Sequence, residues 1–360
     1  MTGKSLPGTI RVLVIDDSAF NRHAISTMLE SVPGIEVVGL AADGEEGLKE
    51  ALTLKPDVIT LDLEMPKMDG FTFLRILMSR QPTPVVVISS YSRKQNVFKA
   101  LELGALDFIA KPTRYLSPEL HKIKGELVEK ISMVRQLQIG TFQRRLSAQH
   151  ACVAAGRPDE EKPSFALVAM GASTGGPPAL QSILRMLPFQ LPAAYVISQH
   201  MPENFTRAFA DRLNRYTSLE VTEARGGEEL SSGKVFVAPG SHHLQLVRKG
   251  ASVHTEVLRA ADGTKYVPSI DTMFRSAAKA MGPGVIGILL TGMGSDGRDG
   301  MKAIKEGGGF TLAESEETAV IYGMPKEAID GGHVDKVLRL EQMAMELSRL
   351  IEEKGRNPES

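Results

Sequence analysis

The chain of 360 residues contains a single cysteine, Cys152. One thiol cannot close an internal disulfide, so a disulfide-stapled scaffold is excluded and a reducing compartment fits. An excess of charge of either sign is also missing: 42 Lys and Arg stand against 43 Asp and Glu, a net charge of -1. Without a broad electrostatic field there is no general attraction to nucleic acid or to an anionic membrane. Partners must be recognised locally. The longest hydrophobic runs, such as Val85–Ile88 and Val285–Leu290, fall far short of the roughly 20 residues that span a bilayer. The amino terminus lacks the apolar core and cleavage site of a signal peptide, so a cytoplasmic protein without membrane insertion is expected.

What is present is an ordinary globular mix, 42% hydrophobic and 24% charged, over a length that at roughly 100–200 residues per domain suggests two domains. From Ile10 to about Lys130, short apolar runs alternate with amphipathic segments: Val12–Ile15, Val37-Val38, Val58-Ile59, Val85–Ile88 and Phe108-Ile109. These predict five buried strands. Ile25, Met28, Leu29 and Val32 recur at i, i+3, i+4 and i+7, the apolar stripe of a helix lying on a sheet. Such alternation predicts a parallel, doubly wound sheet. A closing helix is expected from Ser117-Pro118, an N-cap and a first-turn proline, carrying Leu120, Ile123, Leu127, Ile131 and Val134 inward. Periodicity is lost over 139–163, which reads as a mobile tether. The expected division is a first domain over 1–130, a linker over 131–163 and a second domain over 164–360.

In the second domain the alternation restarts with Phe165–Met170, a helical stripe of Leu180, Ile183, Leu184 and Leu187, and a strand at Ala194–Ser198. Lys234–Ala238, Leu244–Val247 and Ser252–Leu258 read as antiparallel strands inserted before a helix marked by Ile270, Met273, Phe274, Ala277 and Met281. An insertion of this kind is expected at a sheet edge. Val285–Leu290 and Phe310–Leu312 complete the pattern, and Leu340, Met343, Leu347, Leu350 and Ile351 mark a final helix.

Asp16-Asp17 ends the first predicted strand and Asp62 the third, so a doubly wound sheet brings three carboxylates to its carboxyl edge, where such folds bind ligands. Clustered carboxylates repel, and all-oxygen ligation suits magnesium. Ser89, ending the fourth strand, can hydrogen-bond a phosphoryl oxygen, and Lys111, after the fifth, can neutralise one. Any one acidic residue alone reads as a turn or helix cap. Five groups at four strand ends do not, and they point to a phosphoryl-aspartate site. Here the sequence resembles the receiver domain of bacterial response regulators, in Asp16-Asp17-Ser18, Leu61-Asp62-Leu63-Glu64-Met65-Pro66-Lys67-Met68-Asp69-Gly70, Ser89-Ser90 and Lys111-Pro112. The resemblance implies a flavodoxin-like fold with Asp62 as phosphoacceptor. It implies a magnesium ion held directly by Asp17, Asp62 and the Glu64 carbonyl and through water by Asp16. Phe108 would be the family's switch aromatic, although an aromatic near a strand end also reads as plain core.

Gly171-Ala172-Ser173-Thr174-Gly175-Gly176 joins a predicted strand to a helix opened by Pro177-Pro178, and glycines flanking a serine permit the tight turn that exposes a nucleophile. A Walker loop would need lysine where Pro177 stands, and a dinucleotide fingerprint would need glycine in place of Ser173. A structural glycine-rich turn remains an equal reading of this motif alone. His200 tips the balance, because it ends the next strand and projects to the same edge, with His242 and His243 as rivals for the rim. Thr291–Gly297 leaves strand Val285–Leu290 and delivers Asp296 there, with Asp299 as second choice; a calcium loop would need alternating carboxylates that this segment lacks. Ser173, His200 and Asp296 thus read as nucleophile, base and orienting carboxylate. Backbone amides near Thr174 or Met293 would stabilise an oxyanion, and ester hydrolysis is the reaction expected.

This half resembles the catalytic domain of the chemotaxis protein-glutamate methylesterases, the CheB family. The matching segments are Gly171–Gly176, Gln199-His200-Met201-Pro202, Val237-Ala238-Pro239-Gly240, Pro268-Ser269-Ile270-Asp271, Leu290–Gly297 and Gly323-Met324-Pro325. The resemblance implies a parallel-sheet α/β fold and hydrolysis of glutamate 5-O-methyl esters on methyl-accepting chemoreceptors, with receptor glutamine deamidation beside it. It also implies a histidine kinase as phosphodonor and no cofactor for ester hydrolysis. The unphosphorylated receiver would restrain the enzyme. A response regulator that binds DNA is the rival from another class, but nearly two hundred residues of α/β pattern do not make a compact unit with a basic recognition helix.

Overall fold

The computed structural model describes residues 8–90, 94–111, 117–137, 165–261 and 263–356. The chain divides into two compact units, the first ending at Leu137. Among the described residues no helix is long and apolar enough to cross a membrane.

The first unit holds β1 (Ile10–Ile15), β2 (Ile35–Ala41), β3 (Val58–Leu61), β4 (Val85–Ser90) and β5 (Asp107–Lys111). They form a parallel sheet in the order β2-β1-β3-β4-β5. Four of the five strands are buried as expected, but β2 is an edge paired only with β1, and Val37 and Val38 are half-exposed. Helix Ala19–Glu30 lays Ile25 and Leu29 on the sheet; in the closing helix, Ser117–Ser132, Leu127 and Ile131 are fully buried. The expected boundary at residue 130 falls short: Ile131, Met133 and Leu137 are buried in this unit, and the Arg135 guanidinium donates to the Gly8 and Gly34 carbonyls. The tether expected over 139–163, Cys152 within it, and Pro112 lie outside the described residues, as do the side chains of Ser117 and Leu120.

The second unit is built on β6 (Ala166–Ala172), β7 (Ala193–Gln199), β8 (Glu220–Glu223), β9 (Lys234–Val237), β12 (Val285–Leu289), β13 (Phe310–Glu314) and β14 (Lys336–Leu338). All seven are parallel, in the order β14-β13-β12-β6-β7-β9-β8. Lys234–Val237 is therefore not part of an antiparallel insertion. It pairs with β7 and β8 in the main sheet, a choice of partner that a short apolar run cannot reveal. The insertion is the hairpin of β10 (His242–Lys249) and β11 (Ser252–Arg259) alone. Nor does it extend a sheet edge. Leu244, Leu246 and Val253 pack into the core beside Met273, Phe274 and Ala277 of helix Ile270–Met281, and the Leu246 N–H donates to Ser276 Oγ. The helix is thus packed between sheet and hairpin, with Arg275 and Lys279 left exposed. The short strands β8 and β14 carry no strong apolar run, which is why the pattern does not announce them.

Candidate active site

The central strand β6 is flanked by β12 on one side and β7 on the other. Ser173 follows β6, His200 follows β7, and Asp296 lies in the loop after β12. Their approach is thus a consequence of strand order. The β6/β12 boundary is where the chain reverses its direction across the sheet, the crevice where open α/β sheets take ligands.

Ser173 is half-buried and its N–H donates to the Thr291 carbonyl at 3.0 Å. A Cβ added to Gly292 would lie 2.7 Å from the Ser173 Cβ, so only glycine lets the loop after β12 come this close. Gly175, at φ +76°, turns the chain into helix Gly176–Met186, whose first turn carries Pro177 and Pro178. Among the described residues the Ser173 hydroxyl has no hydrogen-bond partner.

His200 Nε2 lies 2.8 Å from Asp296 Oδ2. Asp296 sits at the start of helix Ile270–Met281. Its Oδ2 accepts the Ile270 N–H at 2.8 Å, and its Oδ1 accepts the Asp271 N–H at 3.0 Å and the Ser269 hydroxyl at 3.1 Å. Burial pushes this carboxyl up, but the His200 contact and these helix-terminal N–H groups outweigh it and hold it below the ordinary carboxylate value. A folded-state value below the unfolded one means that Asp296 contributes stability above the ordinary carboxylate range. That contribution is lost as the pH falls through the lowered value. With Asp296 ionised, Nε2 carries the imidazole hydrogen and Nδ1 keeps the lone pair.

The alternatives separate here. The Asp299 carboxylate is 46% exposed and pairs with Arg275 and Arg298, each at 3.1 Å. His243 Nδ1 accepts the Ser269 N–H at 3.1 Å, with burial pushing its pKa down, and His242 Nδ1 lies 2.7 Å from the Ser241 hydroxyl. Thr174 is buried, with its carbonyl accepting the Thr291 hydroxyl at 3.0 Å; Met293, the residue after Gly292, is half-buried.

Two supporting residues escaped the sequence reading. The amide of Gln199, only 2% exposed, donates from Nε2 to the carbonyls of both Ser173 and His200, at 2.9 and 3.0 Å. Fully buried Glu314 accepts the Thr291 N–H at 2.9 Å. A polar residue closing a strand was the only signal available for either, and polar strand ends are common.

In the first unit, Asp16, Asp17 and Asp62 each offer a carboxylate oxygen within 4.8 Å of the others. Asp16 and Asp62 are buried and Asp17 exposed; Lys111 Nζ lies 2.8 Å from Asp16 and 2.5 Å from Asp62. Burial, helped by repulsion from Asp16, raises the Asp62 pKa despite Lys111. Lys111 is raised as well, because two carboxylates overcome its own burial. One ammonium shared among three carboxylates leaves a deficit of positive charge, and the all-oxygen donor set fits a hard divalent cation. Ser89 is buried at the end of β4, and Phe108 is buried edge-on to Phe98, with ring centroids 6.5 Å apart. The loop after β3 is pinned by Lys67, which donates to Asp43 at 2.5 Å while Asp43 caps helix Gly44–Leu54.

That loop folds back tightly: a Cβ on Gly70 would lie 2.5 Å from the Asp62 carbonyl oxygen and 2.8 Å from the Leu63 Cα, both backbone atoms that cannot yield. Gly70→Ala is therefore expected to lower the stability of the first unit by about 1–3 kcal/mol and to slow phosphoryl labelling. Thermal unfolding and labelling with a small phosphodonor measure the two effects.

Comparison with known proteins matches both units of the chain. Residues 168–347 match the family model described as CheB methylesterase, and residues 12–122 that of the response regulator receiver domain. A Geobacter sulfurreducens protein named protein-glutamate methylesterase/protein-glutamine glutaminase 3 is 50% identical, covering 94% of this chain and 96% of the relative. An Anaeromyxobacter dehalogenans protein of the same name, numbered 6, is 52% identical over 96% of this chain and 95% of its own. The crystal structure of the Thermotoga maritima CheB methylesterase catalytic domain is 38% identical with a TM-score of 0.51, covering 52% of this chain and 99% of that one.

Proposed function

Since the chain belongs to the CheB methylesterase family and carries a response regulator receiver domain ahead of its catalytic domain, we propose that it hydrolyses glutamate 5-O-methyl esters on the cytoplasmic helices of chemoreceptors. Methanol is the product, and deamidation of receptor glutamines runs on the same site. The observation that supports this reading is that Ser173, His200 and Asp296 follow three neighbouring parallel strands, β6, β7 and β12, with the imidazole 2.8 Å from the carboxylate.

The chemistry follows from the tautomer. His200 Nδ1 takes the Ser173 proton as Oγ attacks the ester carbonyl carbon, and Asp296 stabilises the imidazolium that results. Backbone amides at Thr174 and Met293 face the oxyanion of the tetrahedral intermediate. His200 then returns the proton to the departing methoxide, and methanol leaves. Water, deprotonated in turn by His200, cleaves the acyl-enzyme and regenerates Ser173. Every step uses groups of this chain and water.

In the receiver domain Asp62 accepts the phosphoryl group from a chemotaxis histidine kinase. Magnesium would be held by Asp17, Asp62 and the Glu64 carbonyl, with Asp16 acting through water, and supplies charge neutralisation for the phosphoryl oxygens. Lys111 and Ser89 bind those oxygens, and Phe108 reports the change to the surface of the domain.

The test is methanol release from methylated receptor membranes, with and without a small phosphodonor and magnesium. Release should need Ser173 and rise with the phosphodonor. Asp62→Asn should take up no phosphoryl group and show no activation, yet keep basal hydrolysis, because the ester chemistry belongs to the other domain. Label that persists in Asp62→Asn and maps to Asp16 or Asp17 would contradict the acceptor assignment.

A further inference from the structure

The scheme leaves one aromatic ring beside the base without a role. Tyr266, in the segment before helix Ile270–Met281, is stacked parallel to the His200 imidazole, with ring centroids 5.0 Å apart and planes within 5° of parallel. Its hydroxyl abuts Gly294, where an added Cβ would collide with it. Gly294 itself has φ +89°, so this position suits glycine twice over. Lys265 Nζ stands over the same phenol ring, 4.8 Å from its centroid.

A single hydrogen bond to Asp296 fixes one corner of the imidazole but leaves the ring free to swing about that contact. The direction of Nδ1 is set only when the plane is set. A parallel ring packed on one face blocks that swing, and the phenol face, negative in its quadrupole, also favours the imidazolium that forms when Nδ1 takes a proton.

We propose that Tyr266 is a positioning residue for His200, its ring holding the imidazole plane so that Nε2 meets Asp296 while Nδ1 is aimed at Ser173. The proposal rests on His200 being the base of the reaction above. It predicts that the aromatic face matters and the hydroxyl does not.

The experiment compares Tyr266→Phe and Tyr266→Leu in the full chain with two readouts. The first is the rate at which a small fluorophosphonate labels Ser173: the Oγ–P bond forms, the P–F bond breaks, fluoride leaves with the electron pair, and the proton passes to His200. This probe lacks a receptor helix and so reads the serine–histidine geometry apart from substrate contacts. Labelling should slow about tenfold in Tyr266→Leu and stay near wild type in Tyr266→Phe. The second readout is methanol release, where kcat should fall by a similar factor with KM little changed.

Wild-type labelling by Tyr266→Leu, or a loss confined to KM, overturns the proposal and makes Tyr266 a receptor contact instead. An equal loss in Tyr266→Phe also overturns it, because the hydroxyl against Gly294 would then carry the effect. Should Tyr266→Leu fail to fold, Tyr266→Met takes its place with the same expected slowing. Labelling that survives Ser173→Ala would instead overturn the assignment of the nucleophile, which separates failure of the underlying reading from failure of this one.

Discussion

Ser173→Ala is expected to abolish methanol release, a fall of about a millionfold as for loss of the nucleophile in other serine hydrolases, while the protein remains folded. The two halves of that expectation have different physical grounds. Activity is lost because neither threonine beside the serine loop offers a replacement nucleophile. Thr174, next in the chain, is buried and Thr291 already spends its hydroxyl on the Thr174 carbonyl. Stability is kept because the Ser173 hydroxyl has no hydrogen-bond partner among the described residues, so its removal orphans no donor or acceptor. The backbone contacts that hold the loop, Ser173 N–H to Thr291 and Gln199 Nε2 to the Ser173 carbonyl, survive the change. Unfolding free energy should change by no more than about 0.5 kcal/mol, read as a nearly unmoved melting temperature. Near-normal activity in this variant would remove Ser173 from the mechanism.

Asp296→Asn should reduce turnover by about ten-thousandfold, the size of the same exchange in other triads. An asparagine turning its NH2 toward His200 Nε2 makes that nitrogen an acceptor and moves the ring hydrogen to Nδ1, where the proton of Ser173 must go. That orientation also sets the NH2 against the Ile270 N–H, which shares the oxygen facing His200, and turning the amide the other way sets it against the Asp271 N–H instead. Either orientation leaves one backbone donor unpaired, at about 1–3 kcal/mol, so a drop in melting temperature should accompany the loss of rate. Asp299→Asn is the matched control. Its carboxylate is exposed and paired with Arg275 and Arg298, and exposed pairs are worth at most about 1 kcal/mol. Turnover should change little. A reversal of the two results would transfer the orienting role to Asp299.

The placement of the candidate groups at two sheet edges was legible in the residues themselves. Parallel strands joined by helices must place all their carboxyl ends on one side, so residues that merely follow apolar runs, Asp16, Asp62 and Lys111 in one domain and Ser173, His200 and Asp296 in the other, are brought to a common edge. Local periodicity is enough for that step. It also sufficed for the stripes of Leu180, Ile183 and Leu184 and of Met273, Phe274 and Ala277, all buried as expected.

Neighbour choice was not legible. That β12 lies beside β6, although more than a hundred residues separate them, is what sets Asp296 against His200, and that β9 joins β7 rather than the hairpin overturns a reading based on proximity in the chain. Pairing is decided by which buried faces complement each other, a property of the assembled core rather than of any short segment. The same holds for the finer contacts. Asp296 and Asp299 differ by three positions, but only one faces the start of helix Ile270–Met281 and its free N–H groups. Nothing local marks Gln199 as a bridge between Ser173 and His200, or Tyr266 as the ring stacked on the base. Local pattern dictates which groups reach the edge. The tertiary structure decided which of them touch, because hydrogen bonds and ring contacts depend on separations of a few ångströms between segments far apart along the chain.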